Sequence, residues 1–186
     1  MTGAATRRRP AVFLDRDGVL NRPVVRDGRP HPPTSVEQLE LYPEVPAACH
    51  RLRGLGFALV VVTNQPDVAR GQLDAEVVDA INGRLSDEIE LDGVYTCPHD
   101  DADHCPCRKP APGLLLSAAF DLGLDRGHSV MVGDRWRDIE AGRRAGCRTV
   151  HIDRGYDERA PEDADSVAID LAEAVRWIED VVVGEG

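Results

Sequence analysis

Lysine is almost missing from this chain of 186 residues. Of its 22 basic residues, 21 are arginines and one, Lys109, is a lysine. An ammonium is a compact point charge and a guanidinium a planar fork, so the two are not interchangeable. A lone lysine in an arginine-rich chain points to a position that needs the ammonium. Basic charge is short overall: 33 acids leave a formal net charge of −11, which argues against a general nucleic-acid binder. Long apolar runs are missing too. No segment approaches the roughly 20 residues that a membrane-spanning helix requires. The basic opening MTGAATRRRP is followed only by AVFL before Asp15, too short for the apolar core of a signal peptide. The expected compartment is the cytoplasm.

What is present fits a folded globular protein. Hydrophobic residues make up 42% and charged residues 30%, which excludes a largely disordered chain. The length suits one domain over residues 1–186, and no repeat or linker divides it. Apolar runs at 11–15, 56–63, 129–134 and 147–152 read as strands. Segments near 44–55, 73–90, 112–122, 136–145 and 170–182 read as helices. Strands alternating with helices predict an α/β fold, a mostly parallel sheet covered on both faces. Two stretches break the alternation. Residues 18–36, rich in Pro and Gly, suit a hairpin or flap. Residues 97–110, CPHDDADHCPCRKP, suit neither helix nor strand.

In FLDRDGVLN, Asp15 and Asp17 close an apolar strand and Gly18 permits a sharp turn. Ligands of open α/β sheets bind beyond the carboxyl ends of the strands. Paired acids there can hold Mg²⁺, attack an electrophile, or move protons. Cys97, His99, Cys105 and Cys107, within eleven residues, match a closed tetrahedral Zn²⁺ site. His104 is a less favourably placed substitute. Such a loop would hold Arg108 and Lys109 in place beside it. Cys49 and Cys147 fall on helix and strand patterns and are expected to be buried.

The order FLDRDGV, VVVTNQ, CRKP, MVGDRWRD resembles the haloacid dehalogenase superfamily of phosphohydrolases. With the Cys/His loop, it looks like the D-glycero-D-manno-heptose-1,7-bisphosphate 7-phosphatases and the related histidinol-phosphate phosphatases. The resemblance implies a Rossmann-like fold without a large cap and a monomeric enzyme that hydrolyses the 7-phosphate of the heptose bisphosphate. It implies Asp15 as nucleophile, Asp17 as proton donor and base, and Thr63 and Lys109 on the phosphate. Mg²⁺ would lie on Asp15, Asp17 and Asp134. Asn64, Gln65, Arg108 and Arg135 are expected at the substrate. Asp138, on the first turn of a helix starting near Trp136, is expected to cap that helix rather than bind metal.

Three other readings compete. Histidinol phosphate would need acids around its amine and imidazole, whereas a second phosphate needs cations. Arg22, Arg26, Arg29, Arg70, Arg108, Arg135 and Arg137 all lie near the expected site loops and favour the bisphosphate. A phospho-accepting signalling domain shares the Asp, Thr and Lys but needs neither Asp17 nor a zinc loop. A zinc-ribbon interaction module accounts only for 97–107.

Overall fold

A computed structural model describes residues 8–26 and 29–184, and no side chain of residues 25–30 or 182–183. The expected roles of Arg26 and Arg29 therefore lie outside the described residues. Six strands form one parallel sheet: β1 (Arg9–Leu14), β4 (Ala58–Asn64), β5 (Gly93–Cys97), β6 (Leu124–Gly133), β7 (Arg148–Ile152) and β8 (Ser166–Ala168). Their order is β5-β4-β1-β6-β7-β8, so β1 lies inside the sheet between β4 and β6. Connections run outward from β1 in both directions, which puts a crevice at the carboxyl ends of β4, β1 and β6.

Alternation along the strands divides the core into two layers. Val12, Leu14, Leu59, Val61, Val130 and Val132 face one cluster. It is closed by α1 (Val45–Gly54), α2 (Ala75–Glu88) and α5 (Leu171–Trp177). Ala11, Phe13, Ala58, Val60, Val62 and Met131 face the other, closed by α3 (Gly113–Asp121) and α4 (Trp136–Ala145). Both faces of β1 and β4 are dry, hence their continuous apolar runs. Cys49 and Cys147 are buried as expected, and burial pushes each thiol up to about 12.

The four expected strands and five expected helices are present with shifts of a few residues. β5 and β8 are additional. They are the two sheet edges, short and only partly buried, so neither leaves a long apolar run in the sequence. The unusual segment after β1 contains an antiparallel hairpin, β2 (Val24–Arg26) and β3 (Arg29–His31), in the place expected for the flap.

Phe13 is fully buried between β4, β6 and the α3–α4 layer. Phe13→Ala is expected to cost about 3–5 kcal/mol, measured as a lower midpoint in urea unfolding.

Candidate active site

Four sheet-end segments converge on one cleft of about 330 Å³. β1 ends at Leu14 and delivers Asp15, whose amide still bonds to the Val132 carbonyl at 3.0 Å. β4 delivers Thr63 and Asn64, and β6 leads directly into Asp134. The loop before α3 delivers Lys109. The hairpin and the residues flanking it contribute Pro23, His31 and Pro32 to the lining.

Lys109 is 2% exposed. Its Nζ lies 2.7 Å from Asp15 Oδ1, 2.5 Å from Asp138 Oδ1 and 2.8 Å from the Val62 carbonyl. Burial alone would lower its pKa, but the carboxylates of Asp138 and Asp15 outweigh that and raise it. Asn64 fixes the backbone behind it: its Nδ2 donates to the Lys109 carbonyl at 3.0 Å, and the Lys109 amide donates to its Oδ1 at 3.1 Å.

Asp15, Asp134 and Asp138 bring carboxylate oxygens within 4.8 Å of one another. Burial raises Asp15 to about 6, against the pull of Lys109 and with help from Asp138 and Asp17. Burial, then Asp15 and Asp138, push Asp134 well up too. Both oxygens of Asp134 are buried without a hydrogen bond. Burial, then the Asp134 carboxylate beside it, push the Tyr156 phenol well up, although neither Asp134 oxygen has a hydrogen bond of good geometry. An orphaned carboxylate beside two others is the donor set of a hard divalent cation. Asp138 differs from the other two. Its Oδ2 accepts from the Arg135 amide at 3.0 Å, so it caps α4 as the sequence suggested, and its Oδ1 also holds Lys109. Gly18 makes this crowding possible. It has φ +92°, and a Cβ there would lie 1.8 Å from Asp134 Oδ2.

Asp17 sits in a clamp. Arg16 donates to both carboxylate oxygens at 3.3 and 3.0 Å, Asn21 donates to Oδ1 at 3.0 Å, and Gln65 donates to Oδ2 at 2.8 Å. Burial opposes ionisation, but Arg16 and these bonds hold the pKa below the ordinary value. Arg16 itself is fully buried and continues to Asn82 on α2, 2.9 Å away, which reaches Thr96 on β5 at 3.1 Å. Gln65 was expected at the substrate; it is 1% exposed and turned toward Asp17 and Thr63 instead. The sequence reading missed Arg16, Asn82 and Tyr156. Arg16 stands inside the DRD motif, but an arginine between two acids reads as a surface charge until its burial is known.

The loop from 97 to 107 brings its four expected ligands together. Cys97, Cys105 and Cys107 have Sγ separations of 3.6, 3.3 and 3.2 Å, and His99 Nδ1 lies 3.6 Å from Cys97 and 3.4 Å from Cys107. A tetrahedral ion with metal–sulfur bonds near 2.3 Å requires sulfurs about 3.8 Å apart, so the cluster can take a metal after a small expansion. His104 is outside the cluster. The loop is fused to α3 at Gly113, whose amide donates to the Pro106 carbonyl at 3.1 Å; a Cβ there would lie 2.2 Å from that oxygen.

Four arginines line the cleft: Arg70, Arg108, Arg135 and Arg137. Each is held by an acid at the rim. Arg70 pairs with Asp67 and Asp100, Arg108 and Arg137 pair with Asp101, and Arg135 pairs with Glu158. Arg22 is not among the lining residues; it pairs with Glu40 and stacks on Tyr42.

Residues 106–174 match the sequence model of the HAD-hydrolase-like family. The chain is 39% identical to the D-glycero-D-manno-heptose-1,7-bisphosphate 7-phosphatase of Thermosynechococcus vestitus, over 91% of this chain and 95% of the relative. The chain belongs to the haloacid dehalogenase-like heptose-bisphosphate phosphatase family. The Escherichia coli K12 member, a D-glycero-beta-D-manno-heptose-1,7-bisphosphate 7-phosphatase, is 40% identical over 71% of this chain and 72% of its own. Among solved structures, the D,D-heptose 1,7-bisphosphate phosphatase of B. bronchiseptica, complexed with magnesium and phosphate, has a TM-score of 0.78 at 28% identity. That match covers 95% of this chain and 99% of the other. A HAD-like phosphatase from Mesorhizobium loti has a TM-score of 0.75 at 31% identity, covering 93% and 87%. As in the family, the fold is a Rossmann-like α/β phosphatase fold, and no described helix is long and apolar enough to cross a membrane.

Among the described residues, Lys109 is the only cation paired with Asp15 and Asp138. Lys109→Met is expected to destabilise the metal-free protein by about 3–5 kcal/mol at pH 8. An acid with a raised folded pKa binds its proton more tightly in the folded state, so stability falls as pH rises. For Asp15 the window opens near 3.8 and runs through about 6, and without Lys109 it extends higher. Urea unfolding in EDTA should therefore show a smaller deficit at pH 5 than at pH 8.

Proposed function

We propose that the protein hydrolyses the 7-phosphate of D-glycero-D-manno-heptose 1,7-bisphosphate, as a cytoplasmic monomer. The single observation that carries the reading is the buried Lys109 ammonium, 2.7 Å from Asp15 at the floor of an open cleft edged by arginines. The names of the relatives support the substrate. Four lining arginines support a doubly phosphorylated ligand over histidinol phosphate. The cleft is built within one chain, which supports action as a monomer.

The chemistry follows from charge. Asp15 attacks phosphorus; its oxygen–phosphorus bond forms as the bond from phosphorus to the sugar's C7 oxygen breaks. Asp17 gives that oxygen a proton. It then takes one from a water, which attacks the aspartyl-phosphate, releasing inorganic phosphate and restoring Asp15. The Arg16, Asn21 and Gln65 clamp holds Asp17 in the carboxylate form that the second step needs. Donation in the first step requires Asp17 to take up a proton, and so requires substrate to loosen the clamp. Lys109 offsets the negative charge of both Asp15 and the phosphate, and the Thr63 hydroxyl holds a phosphate oxygen. Asn64 serves by keeping Lys109 in place. Arg108 receives the second phosphate and Arg135 flanks the cleft. Asp15, Asp134 and the Asp17 carbonyl would hold Mg²⁺, which supplies the charge that lets a phosphate approach three acids. Cys97, His99, Cys105 and Cys107 would hold a structural Zn²⁺, a borderline-soft ion suited to thiolates.

Phosphate release should be measured on the heptose bisphosphate, its 7-monophosphate, other sugar bisphosphates and histidinol phosphate. The heptose bisphosphate is expected to have the highest kcat/KM, and faster turnover of histidinol phosphate would overturn the substrate. Asp15→Asn should abolish turnover, because an amide cannot form the acyl-phosphate; activity within tenfold of the parent would remove Asp15 as nucleophile.

Elemental analysis is expected to find about one zinc per chain, lost in Cys97→Ser together with a lower melting temperature. Parent protein that holds no zinc when purified without chelators, with Cys97→Ser unfolding at the same temperature, would exclude the structural ion.

A further inference from the structure

The two arginines on the cleft's outer rim share one carboxylate. Arg108 Nε lies 2.8 Å from Asp101 Oδ1, and Arg137 Nη1 lies 3.3 Å from the same oxygen. The residues come from two separate elements. Asp101 opens the 3₁₀ turn Asp101–Asp103 inside the Cys/His loop, Arg108 ends that loop, and Arg137 stands on the first turn of α4. Both arginines line the cleft, whereas Asp101 does not.

Neither cation depends on Asp101 for its place. Arg108 Nη1 also donates to the His99 carbonyl at 3.2 Å, and its side chain is 11% exposed. The Arg137 guanidinium lies over the Trp136 ring, 4.8 Å from its centroid. Asp101, by contrast, is 57% exposed on its side chain. The carboxylate of these pairs is open to solvent, so another anion can take its place. A phosphate dianion carries more charge and three acceptor oxygens, and two guanidiniums suit it better than one.

We propose that Asp101 is a built-in competitor for the subsite of the substrate's second phosphate, and that Arg137 is the second cation of that subsite beside Arg108. In the free protein the Asp101 carboxylate offsets part of the charge of the two guanidiniums. The incoming phosphate displaces it, and the carboxylate moves into solvent. The latch taxes every ligand that needs the pair, and leaves a monophosphate, which does not use it, untaxed. This rests on the bisphosphate reading above and adds a specificity-determining pair to it.

The test compares the parent, Asp101→Asn and Arg137→Gln on D-glycero-D-manno-heptose 1,7-bisphosphate and on the 7-monophosphate, with melting temperature and zinc content as controls of the loop. Asp101→Asn is expected to raise kcat/KM for the bisphosphate about three- to tenfold through a lower KM, with the monophosphate unchanged. Arg137→Gln is expected to lower kcat/KM for the bisphosphate at least tenfold more than for the monophosphate. If Asp101→Asn instead weakens the bisphosphate with an intact loop, Asp101 positions the arginines and the competitor is overturned. Equal losses on both substrates in Arg137→Gln overturn the second cation. A parent enzyme that does not prefer the bisphosphate overturns the bisphosphate reading and the latch together. A preference that neither substitution moves overturns the latch alone.

Discussion

One ammonium surrounded by acids organises the cleft. Asp15, Asp134 and Asp138 crowd their carboxyl groups together, and burial with mutual repulsion pushes Asp15 and Asp134 up. Lys109 reaches two of the three and the end of β4. Its compactness matters: one Nζ makes three contacts in a space where a planar guanidinium would require room on either side. The third acid, Asp134, keeps two unpaired oxygens. The remaining negative charge is what the proposed divalent cation would offset.

The surroundings hold Lys109 rather than merely surround it. Asn64 grips its backbone from β4, and Asp138 reaches it from the first turn of α4. The last Cys/His ligand, Cys107, stands one residue before Arg108, and the loop is locked to α3 through Gly113. The loop closes three thiols and an imidazole on one point, with Cys97 in the apolar core and Cys105 and Cys107 packed against it. The same segment carries Asp101 and Arg108, so the groups proposed to meet the second phosphate stand beside the Cys/His cluster.

Asp17 shows a different use of burial. Its carboxylate is tied by four hydrogen bonds, two of them from the fully buried Arg16, and the tie continues through Asn82 to Thr96. A buried guanidinium without partners would be costly, so Asp17 and Asn82 are as necessary to Arg16 as it is to them. The two acids of the DRD motif thus meet opposite environments. Burial, with neighbouring carboxylates, carries Asp15 up against the pull of Lys109, whereas Arg16 and its companion donors carry Asp17 down against burial.

Much of this was legible in the sequence. Apolar runs ending in acids marked β1 and β6, because a strand buried on both faces is continuously apolar and its polar end must reach the crevice. The ligand spacing of Cys97, His99, Cys105 and Cys107 was visible because all four lie within one loop. The single lysine stood out by composition alone. β5 and β8 were not visible, since edge strands need no long apolar run. Nor was the inward turn of Gln65, the burial of Arg16, or the pairing of Asp101 with Arg137. Those depend on which residues, far apart in the chain, the sheet order brings together. Local chemistry specified the reacting groups; the tertiary structure decided their partners, because a charge acquires its pKa and its role only from the charges folded against it.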